Sequence, residues 1–230
     1  MRKLKYINAI WNKELSEKGK IKYSWKRVII IGVLMTVLLR LFVFEKFKIY
    51  SVSMLPTMQS GEWDFVTKYN YGYSRHSFPF QTPLPAGVRL FPSQPQLGDV
   101  IVFKSTRERE RWPYVKRVVG LPGDRVEVRD GRLIINGKMA KREELGTFEY
   151  EDHHGRFYVF HLYEETLPNG LKHKIVELSD REVLDNVAEI TVPDGYYYFV
   201  GDNRDQSEDS RGSLGLIPFE NLIGKAQIRN

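Results

Sequence analysis

Ser51 and Ser53 stand two apart in Ser-Val-Ser-Met-Leu-Pro-Thr-Met, residues 51–58. An apolar residue follows the second serine, and Pro56 bars a continuing helix. The stretch reads as a turn that presents a hydroxyl. Serine is an ordinary turn residue, and its hydroxyl becomes a useful nucleophile only beside a base. None of the five histidines, His76, His153, His154, His161 and His173, shows metal-ligand spacing such as H-E-x-x-H, and they lie in polar or variable-looking stretches. No Gly-x-Ser-x-Gly elbow and no phosphate-binding glycine loop occurs. The chain has no cysteine, which excludes disulfides, thiolate metal sites and a cysteine nucleophile.

A serine nucleophile here needs a base other than histidine. Lysine serves if burial in apolar surroundings brings its pKa from ~10.4 toward neutrality. A shift of ~3 units corresponds to about 4 kcal/mol of lost ammonium stabilisation. The candidate is Lys116 in Tyr114-Val115-Lys116-Arg117-Val118-Val119. Strand alternation sets Tyr114, Lys116 and Val118 on one face and Val115, Arg117 and Val119 on the other. Lys116 then has apolar neighbours on its own face, although a strand lysine is more often solvated. The third chemical stretch is Gly201-Asp-Asn-Arg-Asp-Gln-Ser-Glu-Asp-Ser-Arg211, dense in polar groups directly after an apolar strand. It is either a solvated charged loop or a set of Asp/Arg braces with a hydroxyl, Ser207, to orient an amine.

These three stretches need elements to hold them. Residues 28–44 form an apolar run of 17 residues with one charge, Arg40. As a helix it is about 26 Å long, slightly short of a ~30 Å hydrocarbon core, and Arg40 near its outer end can snorkel. Residues 1–27 carry nine Lys/Arg against Glu14 and Glu17, so +7 of a chain total of +6 lies in the tail. The remainder is nearly neutral, which argues against nucleic-acid binding. A basic tail before an apolar run puts the N-terminus in the cytoplasm and everything after residue 45 outside. A cleavable signal peptide ending at Ser51-x-Ser53 is the competing reading. The run is longer than a signal h-region, and 27 residues precede it.

Beyond residue 60 the pattern is β-like. Strands are expected at 64–69, 100–104, 114–119, 125–128, 132–135, 157–163, 173–178, 195–200 and 222–228. Asp130-Gly131 and Pro168-Asn169-Gly170 mark hairpins, and 180–186 reads as a short helix. Residues 70–97 hold five prolines and many aromatics, a long loop whose rings sit in a membrane-interface belt or pack beneath the loop.

In order, these stretches resemble type I signal peptidase, the bacterial leader peptidase, an S26 serine/lysine protease family. The resemblance covers most of residues 28–230. It runs through the apolar run, Ser51-Val-Ser53-Met-x-Pro56-Thr57, Gly98-Asp99-Val-Ile-Val-Phe103, Tyr114-Val-Lys116-Arg117-Val-Val-Gly-Leu-Pro-Gly-Asp124 and the Gly201–Arg211 stretch. It implies Ser53 as nucleophile and Lys116 as general base, with an oxyanion hole from the Ser53 backbone N–H and the Ser51 hydroxyl. Ser207 would hold the lysine amine. Asp202 with Arg117, and Asp209 with Arg211, would brace the site. Phe47, Ile49, Met54 and Val115 match the lining of shallow pockets suited to Ala at the first and third residues before the cut. No metal or cofactor is implied.

The implied fold is mostly β: one N-terminal transmembrane helix (28–46) after a basic cytoplasmic tail (1–27), then a signal-peptidase-like catalytic β core (47–124 and 193–230). A smaller β region (125–192) is inserted. The implied location is the bacterial cytoplasmic (inner) membrane, single-pass, with the catalytic domain on the periplasmic or extracellular side. The implied partners are exported preproteins with signal peptides and the lipid bilayer, with functional contact to the secretion translocon. Two departures stand out. Tyr50 replaces a common Pro beside Ser51, and the insertion is short. Two other readings use the same residues. One is a chemically dead membrane-anchored assembly protein, and the other a self-cleaving serine/lysine protease like the SOS-response repressors.

Overall fold

In the structure, a computed structural model, residues 25–78, 84–107, 112–179 and 181–228 are described. One helix, α1 (Trp25–Phe42), precedes the strands. They begin with β1 (Phe44–Lys48), β2 (Trp63–Thr67), β3 (Val100–Phe103) and β4 (Tyr114–Gly120). Then come β5 (Arg125–Arg129), β6 (Arg132–Ile135), β7 (Lys138–Met139), β8 (Lys141–Glu151), β9 (Phe157–Thr166) and β10 (Lys172–Glu177). The last are β11 (Val187–Thr191), β12 (Tyr196–Val200), β13 (Ile217–Pro218) and β14 (Leu222–Ala226).

The main sheet has the order β1-β2-β14-β3-β4-β12-β13, with antiparallel pairing throughout. Its central strands are covered on both faces, which is why they read as continuous apolar runs. One face packs Val119, Tyr198 and Val200 against Val126, Val128, Leu133 and Ile135. The other packs Ile101, Phe103, Val118 and Phe199 against Leu214, Ile217 and Leu222. Strict alternation therefore fails for β4: Arg117 and Val119, on the face opposite Lys116, are as buried as Lys116 and Val118.

Residues 125–192 build two further sheets, β11-β5-β6-β7 and β10-β9-β8. The first shares its core with β4 and β12, and residues Leu41–Asn230 form one compact unit. Asp130 and Gly131 both take positive φ, as a two-residue hairpin of this type demands. Asn136-Gly137 does the same between β6 and β7, a hairpin not expected from the sequence. The longest strand, β8, was likewise not expected. Its Lys-Arg-Glu-Glu run and its mostly exposed residues hide the pattern.

Two expectations change. The helix stops at Phe42 and does not continue to residue 46, because residues from Phe44 onward pair with β2 in register Phe44↔Thr67. Residues 181–186 form turns, not a helix, with the Asp185 carboxylate accepting from the Glu182 N–H at 2.6 Å; Asp180 lies outside the described residues. In the 70–97 stretch, residues 79–83 lie outside the described residues, Phe80 among them. The rest is pinned by Arg89, which donates to the carbonyls of Gly72 at 2.8 Å and Phe219 at 2.9 Å. Tyr71 is buried beneath it, Tyr73 and Phe78 stack at 5.8 Å, and Tyr69 and Phe91 are exposed. Among the described residues no helix is long and apolar enough to cross a membrane. Every residue of α1 up to Arg40 is exposed, and its 18 residues include Lys26, Arg27 and Arg40.

Candidate active site

Ser53 lies in the turn between β1 and β2. Its neighbours Met54 and Leu55 are buried and anchor the turn, and Leu55-Pro56 is cis. The Ser53 carbonyl accepts the Asn203 N–H at 3.1 Å, and the Val52 carbonyl accepts Asn203 Nδ2 at 3.2 Å. The loop after β12 therefore grips the backbone on both sides of the Ser53 N–H. Ser53 itself is 4% exposed, while Ser51 is on the surface. The Ser53 N–H donates to Ser51 Oγ at 3.2 Å.

Lys116 comes from β4 and is 3% exposed. Its Nζ and Ser53 Oγ are hydrogen-bonded at 2.5 Å. Burial pushes the lysine down to about 8, with the Asp209, Asp202 and Glu208 carboxylates pulling part of the way back. An amine titrating there is neutral in an appreciable fraction of molecules near neutral pH. A neutral amine in contact with a hydroxyl is the arrangement a serine/lysine base needs.

Two buried ion pairs brace this centre. Arg117, next to Lys116, donates from Nε and Nη2 to the two carboxylate oxygens of Asp202 at 2.8 and 2.6 Å, and from Nη1 to the Gly98 carbonyl. Thr57 Oγ1 donates to the same Asp202 at 2.5 Å, tying the nucleophile turn to the pair. Arg211 grips Asp209 through Nε and Nη2, each at 2.9 Å, and Asp209 also accepts the Gly201 N–H. Burial opposes both carboxylates' charge, yet the paired guanidiniums hold each below its usual range. Ser207 is buried against Gly201, where any Cβ would meet its hydroxyl at 2.2 Å. No hydrogen bond links Ser207 Oγ to Lys116 Nζ; of the sequence-assigned contacts, this one is not formed.

The four expected lining residues fall in two hydrophobic clusters that share Val115. Val115 packs against the cluster that holds Ile49 and Met54, and Phe47 and Val115 both pack against a second one, Val66, Val102 and Ile223. Two cavities open on the surface of the described residues away from Ser53 and Lys116. The larger, about 350 Å³, lies by Gln94, Leu121, Tyr197 and Phe219, and the smaller, about 230 Å³, opens beside Ile49, Thr57 and Trp63.

Several residues that hold the site carried no role in the sequence reading: Thr57, Asn203, Arg204, Glu165 and His173. Arg204 had a readable signal. Once Arg117 and Arg211 have their aspartates, one arginine of the Gly201–Arg211 stretch is left without a partner. Its partner, Glu165, lies 39 residues away on β9 and has no local mark. His173, read as one of the polar-stretch histidines, is buried between Glu165 and Asp202.

A family profile described as signal peptidase, peptidase S26, matches residues 22–230. The chain is 39% identical over 212 residues to a signal peptidase I of Rickettsia canadensis, covering 89% of this chain and 77% of that protein. It is also 39% identical over 203 residues to a signal peptidase I of Rickettsia typhi, covering 85% and 75%. A signal peptidase I crystal structure from Enterococcus faecalis superimposes with a TM-score of 0.34 at 26% identity, over 58% of this chain and 97% of that one. With the match running through Ser53, Lys116 and the loop that binds them, the chain belongs to the S26 signal peptidase family and is a serine peptidase, a hydrolase of the class that removes signal peptides.

Proposed function

We propose that this chain removes N-terminal signal peptides from exported preproteins through Ser53 as nucleophile and Lys116 as general base. The observation that carries the reading is the 2.5 Å contact between Ser53 Oγ and a buried lysine whose ammonium is disfavoured. Neutral Lys116 takes the Ser53 proton as Oγ attacks the scissile carbonyl. The oxyanion that forms is met by the Ser53 N–H and, after its hydroxyl turns, by Ser51. In the structure Ser51 Oγ accepts from that same N–H, so the Ser51 side chain must turn away to free the N–H for the oxyanion, toward which its own O–H then donates. The Lys116 ammonium protonates the departing amine, leaving an acyl ester on Ser53. Lys116 then deprotonates a water, which attacks the ester, and Ser53 regains its proton. Asp202–Arg117 and Asp209–Arg211 hold the lysine's surroundings.

The substrate's cleavage segment adds as an extended strand beside the site, with small residues at the first and third positions before the cut seated against Phe47, Ile49, Met54 and Val115. The apolar segment from residue 28 to the end of α1 at Phe42 anchors the enzyme in the bacterial cytoplasmic membrane, N-terminus inside and catalytic domain outside. Its support is the run of exposed Ile29, Ile30, Val33 and Leu34 on α1, apolar surface that water does not favour. The test is cleavage in trans, in detergent, of preproteins whose small-x-small site is varied. Ala→Leu at either small position should lower kcat/KM by about 100-fold or more, since a bulky side chain overfills a shallow pocket. Indifference to bulky residues refutes the pocket assignment, and cleavage confined to the chain itself refutes the preprotein reading.

A further inference from the structure

The charges buried beside the Ser53 turn form a balanced set. Arg117 holds Asp202, Arg204 holds Glu165 through both terminal nitrogens, and Arg142 holds Glu177 at 2.6 Å while lying 3.9 Å from Glu165. His173 stands between two of the carboxylates, its Nε2 3.4 Å from Glu165 Oε2 and 3.9 Å from Asp202 Oδ1. Three carboxylates face three guanidiniums, so an uncharged imidazole completes a neutral cluster. Burial, joined by the nearby Arg117 guanidinium, keeps the imidazole neutral down to about 4.

This cluster is also where the inserted sheet meets the nucleophile. Val176 of β10 donates to the Asp202 carbonyl at 2.9 Å and accepts the Arg204 N–H at 3.0 Å, so residues 202–204 run beside β10 as an added parallel strand. Between those contacts Asn203 faces the other way and binds the Val52 and Ser53 carbonyls. Leu55, two residues past Ser53, packs on Phe160 of β9 and on Val176. Arg211, already bound to Asp209, donates to the Arg204 carbonyl as well. The peptide planes on either side of the Ser53 N–H are thus set by a loop whose own position is set by β9 and β10.

We propose that β8–β10 is a positioning element for the nucleophile and that Glu165 and Arg204 are its positioning residues, acting on Ser53 through Asn203. The inference rests on the Ser53/Lys116 reading. A buried ion pair is weak evidence for stability, since an apolar pair of similar volume often substitutes without loss. What the pair supplies here is direction: the planar guanidinium fork fixes where residue 204 lies, and so where Asn203 points. Reaction rate is sensitive to displacements of about 1 Å at the reacting atoms, costing on the order of 100-fold.

The test is turnover of a purified preprotein in detergent by the full chain carrying Glu165→Met and Arg204→Met together, which leaves no unpaired charge behind. The expected result is a folded protein whose kcat falls by at least about tenfold with KM within about threefold, the split that displaced reacting groups produce. Wild-type kcat in the folded variant, or a loss carried wholly by KM, overturns the proposal. If the paired variant does not fold, Asn203→Ala decides instead: about tenfold lower kcat supports the proposal and an unchanged kcat overturns it. Ser53→Ala is measured alongside. Wild-type turnover there sinks the nucleophile assignment. An inactive Ser53→Ala beside a fully active paired variant sinks this inference alone.

Discussion

Lys116→Met yields a protein that is more stable than the wild type at pH 7 and does not cleave preprotein. The activity loss follows from removing the base in contact with Ser53 Oγ, the only one among the described residues. Loss of a general base costs about 10²–10⁴, and removing a member of a nucleophilic dyad lies at or beyond the upper end. The stability gain follows from the charge. Lys116 titrates at 10.5 when exposed and at about 8 in the fold, because burial disfavours its ammonium. Between those values the unfolded chain binds more protons, so wild-type stability rises with pH across about 8 to 10.5. Below pH 8 the full penalty is present, on the order of 3 kcal/mol. A methionine of similar length fills the space without it, and the melting temperature at pH 7 should rise by several degrees. The gain should shrink as pH climbs and vanish above about 10.5. Thermal melts at pH 7, 9 and 11 check the pattern. A melting temperature that falls at pH 7 would show that the ammonium is comfortable in the fold.

The same titration governs catalysis. The free enzyme is active only with Lys116 neutral, so kcat/KM should climb tenfold per pH unit below about 8 and level off above it. At pH 6 the neutral fraction is about one in a hundred, and the rate should be about 100-fold under the plateau. His173 does not generate this limb, because its imidazole stays neutral down to about 4. Asp202 and Asp209 do not either, since the paired arginines hold both carboxyls below their usual range. A flat profile between pH 6 and 9 would contradict a lysine base. Peptide cleavage rates over that range, with the protein's fold followed in parallel, make the measurement.

What could be read from the chain divides along physical lines. The hydroxyl turn, the buried β4 lysine and the Asp/Arg loop were legible because each is a dense local pattern of chemically unusual residues. So were β3 and β12, whose continuous apolar runs come from burial on both faces. Strand β8 was not legible, because Lys141, Glu143, Glu144, Glu149 and Glu151 face solvent and mask the period-2 signal. The end of α1 was misplaced because Val43 and Phe44 extend the apolar run, although Phe44 already pairs as strand. The alternation argument found Lys116 for a sound reason but misjudged its strand, since both faces of β4 are covered. Long-range pairs had least local trace. Thr57 with Asp202 and Glu165 with Arg204 join residues 145 and 39 positions apart. Only the topology that lays residues 202–204 beside β10 brings the second pair together.

The central claim is that Ser53 is the nucleophile and Lys116 its base. It is met most directly by mixing wild-type, Ser53→Ala, Lys116→Met and doubly substituted protein with a purified preprotein in detergent and measuring single-turnover cleavage. Both single variants should fall to the same residual rate, and the double variant should be no slower, because two members of one catalytic unit are not additive. Near-normal cleavage by Ser53→Ala, with its fold intact, contradicts the account.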